Sequence, residues 1–158
     1  MGYAKGFFDL DQEASGASVF PAQLGLANVG LSVYVLNRGE GFDYLHNHRE
    51  QEEVYLCMDG EAELVIAGDD AKHPSLQRVR IARGEAVKVD PQTLRAIGNT
   101  TSDRAVVVIA GGCPHPYPAG HGHDVIADVH KTVGHGETGF QRPAFLTHQP
   151  AGTDDEDC

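Results

Sequence analysis

Eight short apolar runs, each closed by a turn signal, constrain the fold of this chain more than any other feature. They lie near Leu31 to Leu36, Phe42 to His48, Glu53 to Met58, Ala62 to Ala67, Gln77 to Ala82, Ala86 to Val89, Leu94 to Ile97 and Ala105 to Ala110. Each alternates or runs apolar over a strand's length, and no segment sustains a helical period for three turns with good caps. Between them stand Asn37 to Gly41, Asp59-Gly60, Gly68 to Ser75, Arg83-Gly84, Asp90-Pro91 and Asn99 to Asp103, all rich in turn-forming residues. Asp59-Gly60 is the sharpest hairpin signal, because a type I′ turn needs positive φ at both central residues. Strands so short and so regularly spaced predict an all-β domain, a single jelly-roll barrel or sandwich.

With 158 residues, 41% of them apolar, the chain has the size of one domain with one core. We expect an N-terminal arm over 1–29, a β-barrel over 30–111 and a His/Gly/Pro-rich, irregular extension with an acidic tail over 112–158. The arm carries Phe7, Phe8, Phe20 and Leu24, residues suited to covering a sheet edge. The last eight or so residues have the composition of a disordered tail. A net charge of −11 disfavours a phosphate backbone or an anionic membrane as partner. Four lysines against thirteen aspartates fit a protein kept soluble at high salt. Met1 to Leu10 lacks the apolar run of about 7 to 15 residues of a secretion signal, and no run reaches a membrane span of about 18, so the expected location is cytoplasmic. Cys57, Cys113 and Cys158 are odd in number and widely spread, unlike a disulfide framework, and Cys57 is expected in the core.

Chemistry concentrates in His46-Asn-His48 and the acids that follow. Side chains at i and i+2 of a strand share a face with roots roughly 6 to 7 Å apart, so both imidazoles can converge on one ion. A carboxylate on the same side completes a two-histidine, one-carboxylate set that leaves coordination positions open. Residues 49–52 must turn, after which the strand from Glu53 is expected to return alongside the first in antiparallel pairing. Strand parity does not choose between Glu52 and Glu53.

The stretch from Gly41 to Gly60 resembles the first motif of the cupin family: glycine, five residues, His-x-His, three or four residues, glutamate, six residues, glycine. Glu53 fits that register with Gly60, while Gly41 stands one residue too close to His46. The family's second motif, with its Pro-x-Gly-x-x-His-x-x-x-Asn core, corresponds to Gly84 to Asn99. Here Thr93 replaces the glycine and the histidine is absent: counting from Pro91 puts Ala96 in its place, and counting back from Asn99 puts Arg95 there. The resemblance spans residues 31 to 110. It implies a barrel, a divalent ion on His46, His48 and Glu53 and, dimers being common in the family, a homodimer; in a metal-dependent enzyme Tyr55 and Arg95 would be the pocket residues for substrate. The ion can be Fe, Mn, Ni, Co or Zn, since this donor set accepts any of them.

Arginine is a permanent cation without an acceptor, so it cannot ligate. Facing inward about 6 Å from an ion whose charge Glu53 has reduced to +1, Arg95 would repel it by roughly 2.8 kcal/mol at an effective dielectric of about 20, or about two decades of affinity. An inward Arg95 therefore recognises an anion or pairs with Glu53; on a strand edge it is a surface residue. Six of the nine histidines fall in 112–158; with glycine on both sides of His121, the His121-Gly-His123 pair reads first as part of a solvated loop, and otherwise as a substitute for the missing ligand or a weak adventitious site for nickel or zinc. Three functions remain: a metal-dependent enzyme, of dioxygenase or isomerase type, acting on a small anionic substrate; a metal-free or weakly metallated module anchoring an anion through Arg95; and a structural assembly unit. No nucleophile with a histidine and acid partner and no phosphate-binding loop accompanies the motif.

Overall fold

The computed structural model describes residues 2–19, 24–68, 75–112, 129–134 and 136–146. Ten strands build it: β1 (Gly16–Val19), β2 (Val29–Asn37), β3 (Leu45–His48), β4 (Glu52–Asp59), β5 (Glu61–Ala67), β6 (Leu76–Ala82), β7 (Ala86–Val89), β8 (Arg95–Gly98), β9 (Arg104–Gly112) and β10 (Val129–Val133). They form two five-stranded sheets, in the orders β1-β2-β9-β4-β7 and β10-β3-β8-β5-β6. Every paired neighbour is antiparallel. The sheets face each other as a jelly-roll sandwich and do not merge into one continuous barrel among the described residues.

Period-two alternation decides what is buried. In β2, Tyr34 and Leu36 belong to the main core with Tyr55 and Cys57 of β4 and Val107 of β9. From the other sheet come Leu45, Leu64 and Ile97. Val33, Val35 and Val106, on the opposite face, form a smaller cluster against which Phe8 of the N-terminal arm packs. The arm also supplies β1, which pairs with β2 at that sheet's edge.

Two expectations about connectivity fail. Asp59-Gly60 does make a tight turn, with Gly60 at φ 68° and the Arg104 carbonyl filling the space a Cβ would need. It joins no hairpin, however: β4 pairs with β7 and β9, whereas β5 pairs with β6 and β8, so the turn carries the chain from one sheet to the other. Likewise β3 does not pair with β4. Its partners are β10 and β8, so the strands carrying His46 and Glu53 lie in opposite layers. A turn signal reports the local reversal, and whether the strands then pair depends on distant partners.

The segment after residue 112 adds a strand the sequence did not mark, β10, which pairs with β3. Beyond it, Phe140 is buried in the core and Thr138 Oγ1 donates to the Phe42 carbonyl at 2.9 Å. Gly41 and Gly98 make an isolated antiparallel bridge, and the Phe140 ring lies where a Cβ on Gly98 would stand. The acidic tail, Phe20, Cys113, Cys158, His73 and, in the extension, His115, His121, His123, His135 and His148 lie outside the described residues.

Candidate metal centre

His46 and His48 project to the same side of β3, two residues apart. Their rings sit 5.3 Å apart, perpendicular to each other. Glu53 reaches them from β4, across the sandwich. Both histidines and the glutamate are buried, at 6%, 2% and 5% exposure, and one ligand atom from each lies within 4.8 Å of the others. His48 Nε2 is 3.2 Å from Glu53 Oε1. Glu52, by contrast, points outward toward Lys88.

Arg95 pairs directly with His46 across the β3–β8 ladder, which sends both side chains to the interior face. Its side chain is completely buried, the largest such residue in the protein's described part. Nη2 donates to Glu53 Oε2 at 2.8 Å, Nε lies 3.3 Å from the same oxygen and donates to the Tyr55 hydroxyl at 3.2 Å, and Nη1 donates to the carbonyls of Pro91 and Thr93 at 3.1 and 3.0 Å. Of the two positions considered for the second-motif residue, Arg95 is therefore the one that meets Glu53. Of the roles open to it, the structure shows the Glu53 pairing. The Tyr55 hydroxyl donates to Oε2 at 2.5 Å, and Gln51 Nε2 donates to Oε1 at 2.9 Å. A carboxylate has about four acceptor sites. Donors from Arg95, Tyr55 and Gln51 engage both oxygens, and His48 Nε2 approaches Oε1 at 3.2 Å.

Burial and neighbours set the charges. Desolvation, with the Arg95 charge adding to it, lowers the His46 pKa to about 3, so this imidazole is neutral at ordinary pH. Burial pushes Glu53 up, but the His48 hydrogen bond and the surrounding histidines and Arg95 outweigh it and hold the carboxyl well below its usual range. Burial and the Glu53 charge raise Tyr55, keeping it a phenol donor.

These residues fit a divalent ion. His46 Nδ1 is buried without a hydrogen-bond partner among the described residues, a vacancy that native interiors rarely leave without a purpose. A neutral imidazole is the ligating form, and Glu53 turns Oε1 toward His48 while Oε2 stays with Arg95 and Tyr55. The donor set supports three protein ligands.

A cavity of about 50 Å³ opens beside them, lined by Ser32, Tyr34, Phe42, Tyr44, Tyr55, Ile109 and Leu146 together with His46, His48 and Glu53. It admits water or a small polar group. Ser32, Ile109 and Tyr55 stand in one row across β2, β9 and β4, so one line of the sheet forms a wall. Phe42 and Tyr44 stack at 5.7 Å, and the Phe42 ring lies 5.6 Å from that of His46. Tyr55 lines the cavity, whereas Arg95 stands behind Glu53 and does not. Sequence reasoning missed Gln51, Ser32, Tyr34, Phe42 and Tyr44 at the site. The alternation of Ser32, Tyr34 and Leu36 was a usable signal for the wall; nothing local marked Gln51.

The fold defines the class: the chain has the cupin fold, and the three residues that match that family's first motif, His46, His48 and Glu53, converge within it. No family model matches the sequence, and no curated protein matches it. Among solved structures, a cupin protein from Bacteroides fragilis is similar at 21% identity and a TM-score of 0.54, with 77% of this chain and 88% of that one covered. An RmlC-like cupin with a double-stranded β-helix fold from Methanocaldococcus jannaschii is similar at 21% identity and a TM-score of 0.53, covering 73% and 91%. Oxalate oxidase in complex with the substrate analogue glycolate aligns at 17% identity and a TM-score of 0.55, over 69% of this chain and 56% of that one. At these identities the likeness is one of fold.

Proposed function

We propose that the protein is a metal-binding small-molecule cupin in which His46, His48 and Glu53 hold one divalent ion beside the aromatic cavity. The observation that carries this reading is the convergence of three buried ligand atoms, within 4.8 Å of one another, on one side of that cavity. When bound, the ion would act as a Lewis acid or, if iron, activate dioxygen, which is chemistry of the dioxygenase or isomerase type. The chain's own residues do the rest. Tyr55, Gln51 and Arg95 fix the Glu53 carboxylate, burial keeps His46 unprotonated, and the rings of Tyr34, Phe42 and Tyr44 restrict water at the centre. A small anionic substrate would be attracted by the ion itself, because the guanidinium expected to anchor it faces Glu53.

The engagement of both Glu53 oxygens by protein donors favours a second reading, a pocket that works without metal. In that case Arg95 supplies the counter-charge, Tyr55 and Gln51 complete the hydrogen bonds of Glu53, and the cavity binds a small molecule through its rings and hydroxyls.

Elemental analysis of untagged protein purified without chelator separates the two. The metal reading expects one ion per chain, lost in a His46→Ala, His48→Ala double variant. Full retention in that variant would move the site elsewhere in the chain, and absence of metal from both proteins would favour the metal-free pocket.

A further inference from the structure

We infer that Arg95 is a resident competitor of the metal for Glu53, and that it holds the centre's affinity about a hundredfold below what the same three ligands would reach without its charge. The inference rests on the three-ligand reading above but concerns a residue outside the ligand set. Arg95 has no exposed surface, stands opposite His46 in the ladder, and directs Nη2 at the glutamate that an ion would share. Two carbonyls, from Pro91 and Thr93, lock the far side of the guanidinium, so it cannot swing away when an ion arrives. Any divalent ion at the centre therefore meets a fixed positive charge through one shared carboxylate. Without the ion, the same charge keeps Glu53 compensated and the apo form folded.

Arg95 is thus a positioning residue with two opposed effects. It orients Glu53 for ligation and it penalises the ligated state. Removing its charge while keeping a hydrogen-bonding group exchanges the roles: the apo protein loses its internal counter-ion, and the metal becomes the only cation available to Glu53.

The test is calorimetric titration of chelator-stripped full-length protein with Co(II), followed in parallel by the visible absorption of the bound ion. Arg95→Gln should lower the Kd by about a hundredfold, the two decades that a unit charge at about 6 Å implies. Arg95→Lys, which keeps the unit charge although it cannot reproduce the guanidinium's hydrogen bonds, should gain far less than Arg95→Gln. Adding His48→Ala to Arg95→Gln should abolish the gain, which assigns it to this centre. If Arg95→Gln folds only with Co(II) present, the ion has replaced the guanidinium as expected. The inference is overturned if Arg95→Gln binds no tighter than wild type, if Arg95→Lys tightens equally, or if Arg95→Gln fails to fold even in excess Co(II). Wild type isolated without metal but converted to a tight binder by Arg95→Gln would sink the metal-dependent function and leave this inference standing. A tightly metallated wild type with an unchanged variant would do the reverse.

Discussion

His46 carries the clearest pH signature of any residue in the site. Its pKa falls from 6.5 to about 3 on folding, chiefly through desolvation. The unfolded chain therefore takes up a proton that the folded one refuses, and stability declines as pH drops through the interval from 6.5 to about 3. Glu53, whose pKa is also depressed, adds to the loss at the acid end of that interval. Thermal midpoints of chelator-treated protein should fall steadily across this window, and His46→Phe, which suits a site beside Phe42 and Tyr44, should flatten part of the slope. A midpoint constant from pH 7 to pH 4 would show that His46 is not buried neutral. The histidine pair was legible in the sequence because i and i+2 must share a face. Glu53 over Glu52 was legible only through its register with Gly60. Gln51 was not legible: it reaches Glu53 because Gly111, opposite Glu53 in the β4–β9 ladder, leaves the space its side chain fills, and no local pattern encodes that pairing.

Strands were easier to read than their partners. Ala86 to Val89 coincides with β7, and β2, β4, β5, β6, β8 and β9 lie within two residues of their expected bounds at each end. The run expected to begin at Phe42 starts as a strand only at Leu45, since residues 43 and 44 bend while Gly41 and Phe42 bond to β8. What apolar alternation does not carry is the layer to which each strand belongs. It placed β3 and β4 side by side, although they face each other. β10 escaped notice because Val129 to Val133 is short and stands among polar and glycine-rich sequence. The same element-level contact gives a testable consequence at β8. A methyl group on Gly98 would enter the Phe140 ring, which is held in the core and has no flexible end to yield. Gly98→Ala should cost about 1 to 3 kcal/mol of stability, as overpacking usually does. Urea denaturation measures it, and an unchanged midpoint would mean that the 136–146 segment does not seat there.

Across the whole molecule, the surface is governed by its surplus of carboxylates. A net charge of −11 on 158 residues works against compaction, and salt relieves it within a Debye length of about 3 Å at molar strength. The thermal midpoint should rise between low and molar sodium chloride, with the buried Arg95–Glu53 pair contributing little because it is screened far less than exposed pairs. Scanning fluorimetry across a salt series tests this, and a flat or falling midpoint would refute it. The all-β class was readable from turn spacing alone. Which face of each sheet meets the other was not, since Val33 and Val35 look as buried in sequence as Tyr34 and Leu36 do.

Because the two histidines hang from one layer and the glutamate from the other, an ion seated among them would work as a rivet through the sandwich. Prying the layers apart would then dismantle the coordination sphere, and loading the ion would slow amide exchange in β3 and β4 together, though no backbone bond joins those strands.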